Sequence, residues 1–441
     1  MNASTTAGSD GLFSYPVLRL LVGLILTTVG SSAMYVVAVV LPPMQAEFQI
    51  ARSDASLPYA SFMIGFGLGG IVMGRMADRF GAMVPVMIGA FGLASGYWLA
   101  AQADSLMTFS IINGVLLGLL GSSATFSPLI SDVALWFDKR RGIAVAVCAS
   151  GNYLAGVVWP PIVQQWVESG GWRSAYENLA LVVLLISAPL ALVLRRRAPA
   201  VLAAIRPMDD APAVGQPAAQ GFGSPAQVSW AGGLRPLGLS PRALQNLLCI
   251  AGIGCCVAMS MPQVHIVAYC TDLGFGAARG AQMLSLMLGF GIVSRLVSGL
   301  ICDRIGGLRT LLIGSALQAL ALVLFLPFDS LVSLYVISAI FGLFQGGLVP
   351  SYAIIVREHF APNEVGVRTG IVLTSTIIGM ALGGWMSGKV FDLTGSYEAA
   401  FINGIAWNLV NFAIVAFLLT RSRRIDAGKR LPSGGALGAA R

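Results

Sequence analysis

The sequence predicts an all-α membrane protein with twelve transmembrane helices in two six-helix halves. Hydrophobic residues make up 56% of the chain and charged residues only 10%, whereas a soluble chain carries about a quarter charged residues. A spanning helix takes about 20 apolar residues in a row. The apolar runs are long and do not alternate with polar residues, so helices rather than a closed barrel satisfy the backbone in lipid.

Charge and cysteine usage exclude several other classes. The net charge of +8 comes from basic residues at helix ends, without a patch of interleaved aromatic residues, so no nucleic-acid partner is expected. The six cysteines lie in or beside apolar runs without metal-binding spacing. No phosphate-binding loop and no combination of nucleophile, base and orienting group is present, so neither an enzyme, a cofactor, a metal nor an ATP-driven pump is expected.

Polar breaks divide the chain into twelve predicted spans. Their approximate limits are 17–41, 56–75, 83–103, 107–135, 142–166, 175–195, 245–270, 280–301, 308–327, 331–356, 368–390 and 399–420. The join after the fifth span, at Gly170-Gly171-Trp172, is short, as is the join after the ninth, at Pro327-Phe328-Asp329. Neighbouring helices are therefore predicted to be antiparallel.

The predicted halves are residues 1–195 and 243–420. Residues 196–242, rich in Pro, Ala, Gly and Gln, are predicted to be a linker, and residues 421–441 a disordered basic tail. The polar start lacks the basic segment of a signal peptide, so the first apolar run is expected to remain as an anchor.

Arginine and lysine are distributed unequally between the two sides of the predicted bundle. One side carries only Arg52, Arg173, Arg279 and Lys389, and the other carries the linker, the tail and most remaining arginines. Because positively charged loops stay in the cytoplasm, both termini and the linker are predicted to be cytoplasmic. The excess of arginine over lysine points to a bacterial source, and hence to a multi-pass protein of the cell inner membrane.

An internal repeat supports two related halves. The segment GRMADRFG at 74–81 reappears as GLICDRIG at 299–306. A second echo pairs RRGIAVAVCASGNYLAG at 140–156 with RTGIVLTSTIIGMALGG at 368–384. Matching landmarks in both halves predict parallel repeats related by an axis along the membrane normal.

The pattern Gly-x-x-x-Asp-Arg-x-Gly after spans two and eight resembles the hallmark motif of the major facilitator superfamily, over essentially the whole chain. Its residues are Gly74, Asp78, Arg79, Gly81, Gly299, Asp303, Arg304 and Gly306. The glycines allow close helix contact and a tight turn, and the charges can cap helix ends or form ion pairs. The resemblance implies that they hold the outward-open state closed at the cytoplasmic face; the alternative is that they only flank the spans.

Three further segments resemble the monocarboxylate transporter and oxalate:formate antiporter group. They are WFDKRRGIAVAVCASGNYLAG at 136–156, FGLFQGGLVPSY at 341–352 and GMALGGWMSGKVFDLTGSYEAAF at 379–401. The resemblance implies transport of small organic anions with a proton or a counter-anion as the coupled species. Transporters of this fold commonly work as monomers in the lipid bilayer.

Arg295 is the predicted substrate-binding cation. It lies eight residues before Asp303, about 12 Å inside the membrane boundary, where a charge needs a cavity or a partner. The resemblance implies that it binds the substrate carboxylate, although the acidic or amide residue found one turn earlier in relatives is Gly291 here. An ion pair with Asp132 is the alternative.

Other polar residues are weaker candidates. His265, in span seven, belongs to a residue type that can serve proton coupling or a hydrogen bond to a carboxylate, but it could equally be a packed histidine. Asp132 could carry a proton or pair with Arg140 or Arg141 as a gate. The remaining candidate substrate contacts, Asn152, Tyr269, Gln345 and Tyr352, are of a kind that more often form hydrogen bonds between helices than contacts with a substrate.

The competing function is a proton-driven exporter of drugs or hydrophobic metabolites. Such exporters usually carry an arginine in span four and a Gly-Pro pair in span five. The corresponding stretches, INGVLLGLLG and GNYLAGVVWPP, contain neither. A membrane sensor is less favoured still, because the linker is too short and polar to fold as a signalling domain.

Overall fold

The computed structural model describes residues 15–137, 141–196, 236–361 and 364–430. These parts of the chain are almost wholly helical, and eleven helices are long and apolar enough to cross a membrane. In chain order they are Tyr15–Phe48 (span 1), Arg52–Phe80 (span 2), Met83–Ala101 (span 3), Leu106–Trp136 (span 4), Ile143–Val193 (spans 5 and 6), Pro241–Asp272 (span 7), Ala277–Ile305 (span 8), Gly307–Leu324 (span 9), Leu331–His359 (span 10), Val365–Thr394 (span 11) and Tyr397–Ile425 (span 12).

The stretch Ile143–Val193 contains two spans. Its 51 residues would measure about 77 Å as one helix, more than twice the thickness of the hydrocarbon core. Gly171 interrupts it with φ 83° and ψ 168°, which is not helical backbone. The break falls at the predicted Gly-Gly-Trp join, so the predicted twelve spans in two six-helix halves are confirmed.

The repeated motif places the same turn at the same end of both halves. Gly81 ends span 2 with φ 84°, and Gly306 ends span 8 with φ 83°. The N–H of each glycine donates back to the carbonyl oxygen four residues earlier, of Ala77 and Cys302 respectively. A positive φ favours glycine because it has no Cβ, so the tight turn expected at these two positions is present. This end of the bundle is called the motif end, and the opposite end the Arg52 end.

Two predicted boundaries need correction. Span 7 begins at Pro241, capped by Ser240, and so starts inside the predicted linker, of which residues 197–235 lie outside the described chain. The last helix continues to Arg430, so predicted disorder is wrong for residues 421–430. Arg421 donates to the carbonyl oxygen of Leu237 at 3.1 Å, and this contact holds the start of the extension against the segment before span 7.

The two halves are in close contact at the Arg52 end. In span 11, a methyl group added to Gly388 would come within 2.8 Å of the Arg52 carbonyl oxygen, and one added to Gly384 within 2.9 Å of the Tyr59 ring. Towards the motif end, a methyl on Gly370 or Gly299 would have no neighbour within 4 Å. The halves are therefore in close contact at the Arg52 end, and these two glycines near the motif end have open space beside them.

Span 4 departs from regular α-helix, which the sequence did not predict. Asn113–Gly121 is π-helical and Ser122–Thr125 is a 3₁₀ turn. The irregular segment packs against span 2, where a methyl on Gly65 would come within 1.9 Å of the Gly114 carbonyl oxygen. Glycine on both helices permits this close approach.

Candidate functional site

Arg295 lies at the contact between the two halves. It is ten residues before the end of span 8 at Ile305, about 15 Å from the motif end of that helix. The side chain is half-buried and faces span 5, where its Nη1 donates to the Ala149 carbonyl oxygen at 3.3 Å. Its Nε is buried and has no hydrogen-bond partner in residues 15–137, 141–196, 236–361 and 364–430.

Arg295 also contacts an aromatic ring. Its guanidinium carbon lies 4.3 Å from the centroid of the Tyr153 ring on span 5, which is the geometry of a cation–π interaction. Arg295 takes part in none of the ion pairs among the described residues. The alternative predicted partner, Asp132, is paired with another arginine.

Glycines bring two further helices close to Arg295. Span 10 breaks at Gly346. A methyl group added there would come within 2.2 Å of the Gly291 carbonyl oxygen and 3.0 Å of the backbone nitrogen of Arg295. This close contact puts Gln345 beside the turn that carries Arg295. Gln345 accepts a hydrogen bond from Gln263 at 2.9 Å, and its own Nε2 is buried without a partner.

Asn152, one of the predicted residues, is adjacent in sequence to Tyr153, whose ring contacts Arg295. It precedes Tyr153, and its Oδ1 accepts a hydrogen bond from the Tyr35 hydroxyl at 3.0 Å. Spans 1, 5 and 8 thus contribute Tyr35, Asn152, Tyr153 and Arg295 to one polar cluster in an otherwise apolar region. Such a cluster can offer a bound anion one cation and several neutral hydrogen-bonding groups.

Tyr352 lies apart from this cluster. It is fully buried, and its hydroxyl donates to Asn411 Oδ1 at 2.9 Å. Asn411 in turn donates to Ser315 Oγ at 3.0 Å. Tyr352 therefore joins spans 9, 10 and 12 of the last six-helix half, which matches the interhelical hydrogen bond that the sequence left open.

His265 and Tyr269 lie towards the Arg52 end. The His265 side chain is fully buried, with Nε2 2.8 Å from the Gly384 carbonyl oxygen and Nδ1 3.5 Å from the Tyr397 hydroxyl. The Tyr269 ring packs edge-on against the Tyr397 ring, with centroids 5.3 Å apart. The structure thus separates both residues from Arg295.

The contact that closes the Arg52 end was missed by the sequence reasoning. Arg52 donates from Nη1 to the Tyr397 hydroxyl at 2.8 Å and from Nη2 to Asp272 at 3.1 Å. Asp392 accepts from the backbone N–H groups of Arg52 and Ser53, each at 2.8 Å. These five residues, called the latch below, join span 2 of the first half to spans 7, 11 and 12 of the second.

Asp132 is paired with Arg19, a partner that the sequence did not single out. Arg19 donates from Nε and Nη2 to the two carboxylate oxygens at 2.6 and 2.8 Å, and only 1% of its surface is exposed. The pair joins spans 1 and 4 within the first half. Arg140 and the side chain of Arg141, the predicted gate partners, lie outside the described part of the chain.

The charged motif residues lie at the motif end. Asp78 and Asp303 are exposed, as is Arg304, and the Arg79 guanidinium lies over the Phe80 ring. Asp78 also lines a cavity of about 340 Å³ together with the Arg19–Asp132 pair. A methyl group added to Gly74 would lie 3.7 Å from Ser127 Oγ, an ordinary van der Waals contact, so in this conformation Gly74 does not need to be glycine for helix packing.

A membrane bundle of two six-span halves, closed at one end and holding at their contact an arginine with no acidic partner among the described residues, has the architecture of a membrane transport protein. The chain belongs to the Major Facilitator Superfamily, whose family profile matches residues 23–333 and 299–435. Membership of a transporter family agrees with the expectation that the protein is not an enzyme.

The relatives include mammalian monocarboxylate transporters. The chain is 27% identical over 354 residues to monocarboxylate transporter 13 of Bos taurus, covering 79% of this chain and 76% of the relative. The Rattus norvegicus protein of the same name is 26% identical over 355 residues, covering 78% and 74%. These matches confirm the predicted resemblance to the monocarboxylate group.

Solved structures share the fold at low sequence identity. One is a bacterial homologue of the human lysosomal transporter Spinster in an inward-facing, unoccupied conformation. It superposes with a TM-score of 0.68 at 14% identity, covering 96% of this chain and 100% of that one. The similarity confirms the predicted fold class.

Proposed function

We propose that this protein is a secondary transporter of small organic anions of the monocarboxylate type. The observation that carries the proposal is Arg295, a half-buried cation without an acidic partner among the described residues. An unpaired charge at this depth is costly and characteristic of a substrate pathway. A guanidinium binds a carboxylate through two parallel hydrogen bonds, and the named relatives are monocarboxylate transporters.

The arginine asymmetry assigns the motif end to the cytoplasm. The described conformation would then be inward-open, with the latch closed on the outer side and the termini in the cytoplasm. In the opposite state, we expect the motif residues to meet across the cytoplasmic face. We place the protein in a bacterial inner membrane and expect a monomer, as is common for transporters of this fold.

Exchange of anions is favoured over proton symport by the chemistry around Arg295. Its hydrogen bond and ring contact involve Ala149 and Tyr153, neither of which can neutralise a cation. An empty site would have to pass through the occluded state with its charge uncompensated, whereas a bound carboxylate neutralises it. Reorientation should therefore be fast only when an anion is bound.

Neither candidate proton carrier lies in this cluster. His265 is engaged by Gly384 and Tyr397 near the latch, and Asp132 is held by Arg19. Proton symport would require one of them to change partners during the cycle.

Uptake into proteoliposomes tests both substrate class and coupling. Radiolabelled lactate, pyruvate, formate, oxalate and acetate would be supplied outside, with unlabelled anion inside in one set and an inward proton gradient in the other. We expect uptake stimulated by internal anion. Accumulation driven only by the proton gradient would replace exchange by symport, and no uptake of any carboxylate would overturn the substrate class and favour the exporter.

A further inference from the structure

We propose that Tyr153 is a positioning residue for the substrate carboxylate, acting through Arg295, and that its ring occupies the place an acidic partner would otherwise take. This inference rests on the proposed function of Arg295 as the carboxylate-binding group. It assigns to span 5 a determinant of anion affinity, and it connects that determinant to the glycine at position 291.

The first observation is the way in which Arg295 is held. The Tyr153 side chain is almost fully buried, with 6% of its surface exposed, and its ring centroid lies 4.3 Å from the guanidinium carbon. The Tyr153 hydroxyl makes no hydrogen bond to the described residues, so the ring face is the part of this side chain that engages Arg295.

A ring face and a carboxylate hold a guanidinium with different consequences. A carboxylate accepts two of the five N–H groups and cancels the charge. A ring attracts the cation through its quadrupole and accepts none of the N–H groups in the guanidinium plane. Accordingly, Arg295 keeps its charge. Within the part of the chain that the structure describes, its Nε has no hydrogen-bond partner and its Nη1 donates at 3.3 Å to the Ala149 carbonyl oxygen. The hydrogen-bonding fork stays available to a substrate.

The second observation explains the absence of a side chain one turn before Arg295. A methyl group at Gly291 would lie 2.6 and 2.8 Å from two carbon atoms of the Tyr153 ring, well inside van der Waals contact. The ring therefore fills the space into which an acidic or amide side chain at position 291 would extend. Glycine at position 291 leaves room for the Tyr153 ring, and the ring leaves no room for a side chain at position 291.

Because Arg295 is on span 8 and Tyr153 on span 5, the stack also crosses between the two halves. The orientation of the guanidinium is thus set by the half that does not carry it. Loss of the ring should leave a mobile arginine, which binds a carboxylate more weakly but still allows the bound form to reorient. The expected signature is a raised KM with little change in maximal rate.

The test measures anion exchange in proteoliposomes for substitutions made from both sides of the stack. We expect Tyr153→Leu to raise KM about tenfold, which equals about 1.4 kcal/mol, and Tyr153→Phe to stay within about twofold of the parent. Gly291→Ala should raise KM in the same direction, because its methyl displaces the ring. The matched control is Gly289→Ala on the same helix, whose methyl would lie 3.6 Å from Val157, an ordinary contact.

Combining the substitutions distinguishes a shared cause from two separate ones. Once Tyr153→Leu has removed the ring, Gly291→Ala has nothing to collide with, so the double variant should have the KM of Tyr153→Leu alone. Multiplied effects would mean that the two residues act independently. If Tyr153→Leu does not yield folded protein, the comparison of Gly291→Ala with Gly289→Ala still decides the question.

Failure of this inference can be told apart from failure of the proposed function. Unchanged KM in both Tyr153→Leu and Gly291→Ala, with exchange lost in Arg295→Gln, would overturn the role of Tyr153 and leave Arg295 as the binding group. A Tyr153→Phe variant as impaired as Tyr153→Leu would also overturn it, because the hydroxyl rather than the ring face would then matter. Unaltered exchange in Arg295→Gln would overturn the proposed function itself.

Discussion

Replacing Asp392 by alanine should destabilise the closed Arg52 end. In the described conformation Asp392, on span 11, accepts the backbone N–H groups of Arg52 and Ser53, each at 2.8 Å. The first N–H groups of a helix have no acceptor within the helix itself, so Asp392 acts as an N-cap supplied by the opposite half. The cap exists only when the two halves meet at this end.

The size of the effect follows from the capping geometry. Replacing an N-cap acid by alanine costs about 0.5–2 kcal/mol. Asp392 is itself exposed, which argues against the largest values because water can replace part of the lost interaction. A change of about 1 kcal/mol would shift the ratio of closed to open conformations about fivefold, and 2 kcal/mol about thirtyfold.

A distance between two spin labels reports this ratio. Asp104 and Asp329 are exposed and lie in loops at the Arg52 end of the first and second halves, so a cysteine at each can carry a label. Of the native cysteines, five are buried and Cys249 is half-buried, so a Cys249→Ser background limits unwanted labelling. We expect Asp392→Ala to transfer population from the shorter to the longer distance.

The control is Glu398→Ala, which removes an exposed acid at the same end. Glu398 makes no side-chain hydrogen bond or ion pair across the halves among the described residues. Identical distance distributions for Asp392→Ala and Glu398→Ala would refute the latch as a contribution to closure.

Three further substitutions probe the fold. Asp132→Ala leaves the charge of Arg19 buried, so it should lower the free energy of unfolding by about 3–5 kcal/mol, measured by thermal denaturation in detergent; substituting leucine at both positions should recover part of the loss, and no recovery would contradict the ion-pair reading. Gly81→Ala should cost about 1–3 kcal/mol in the same assay, because its φ of 84° and ψ of 168° lie in a region essentially restricted to glycine, whereas Gly299→Ala, in open helical backbone, should not be destabilising. Gly384→Ala should lengthen the spin-label distance, because its methyl collides with a tyrosine ring of span 2 only when the Arg52 end is closed; an unchanged distance would show that this contact does not limit closure.

Features that depend on local sequence were predictable. The apolar runs defined the spans, and the Gly-Gly-Trp join located the break at Gly171 inside one continuous helical stretch. Arg295 stood out because a charge within an apolar run is visible without knowledge of the fold. The repeated Gly81 and Gly306 turns were expected because the two motif copies carry glycine at the same place.

Features that depend on the pairing of residues far apart in the chain were not predictable. Arg52 is 220 residues from Asp272 and 340 from Asp392, and each lies at a span end, where charges are common. The available signal was that all three fall at span ends on the same predicted side of the membrane. Asp132 was a candidate from the sequence, but its partner Arg19 is 113 residues away and was one of the arginines assigned to the cytoplasmic side.

The departure at Gly291 could be seen in the sequence but not explained there. Gly291 lies on span 8 and Tyr153 on span 5, so only the packed structure shows that a side chain at position 291 would meet the Tyr153 ring. The separation of His265 from Arg295 likewise depends on how span 7 packs against span 11, which composition does not reveal.

The most direct test of the central claim, that Arg295 binds a carboxylate, is anion exchange by Arg295→Gln and Arg295→Lys, with Arg357→Gln as a control on an exposed arginine. Removing one member of a buried charge pair costs at least about 2 kcal/mol, so exchange efficiency should fall at least about thirtyfold in Arg295→Gln. Lysine keeps the charge but loses the two parallel bonds, so it should restore exchange only in part. Exchange by Arg295→Lys as fast and as tight as the parent's would contradict the claim.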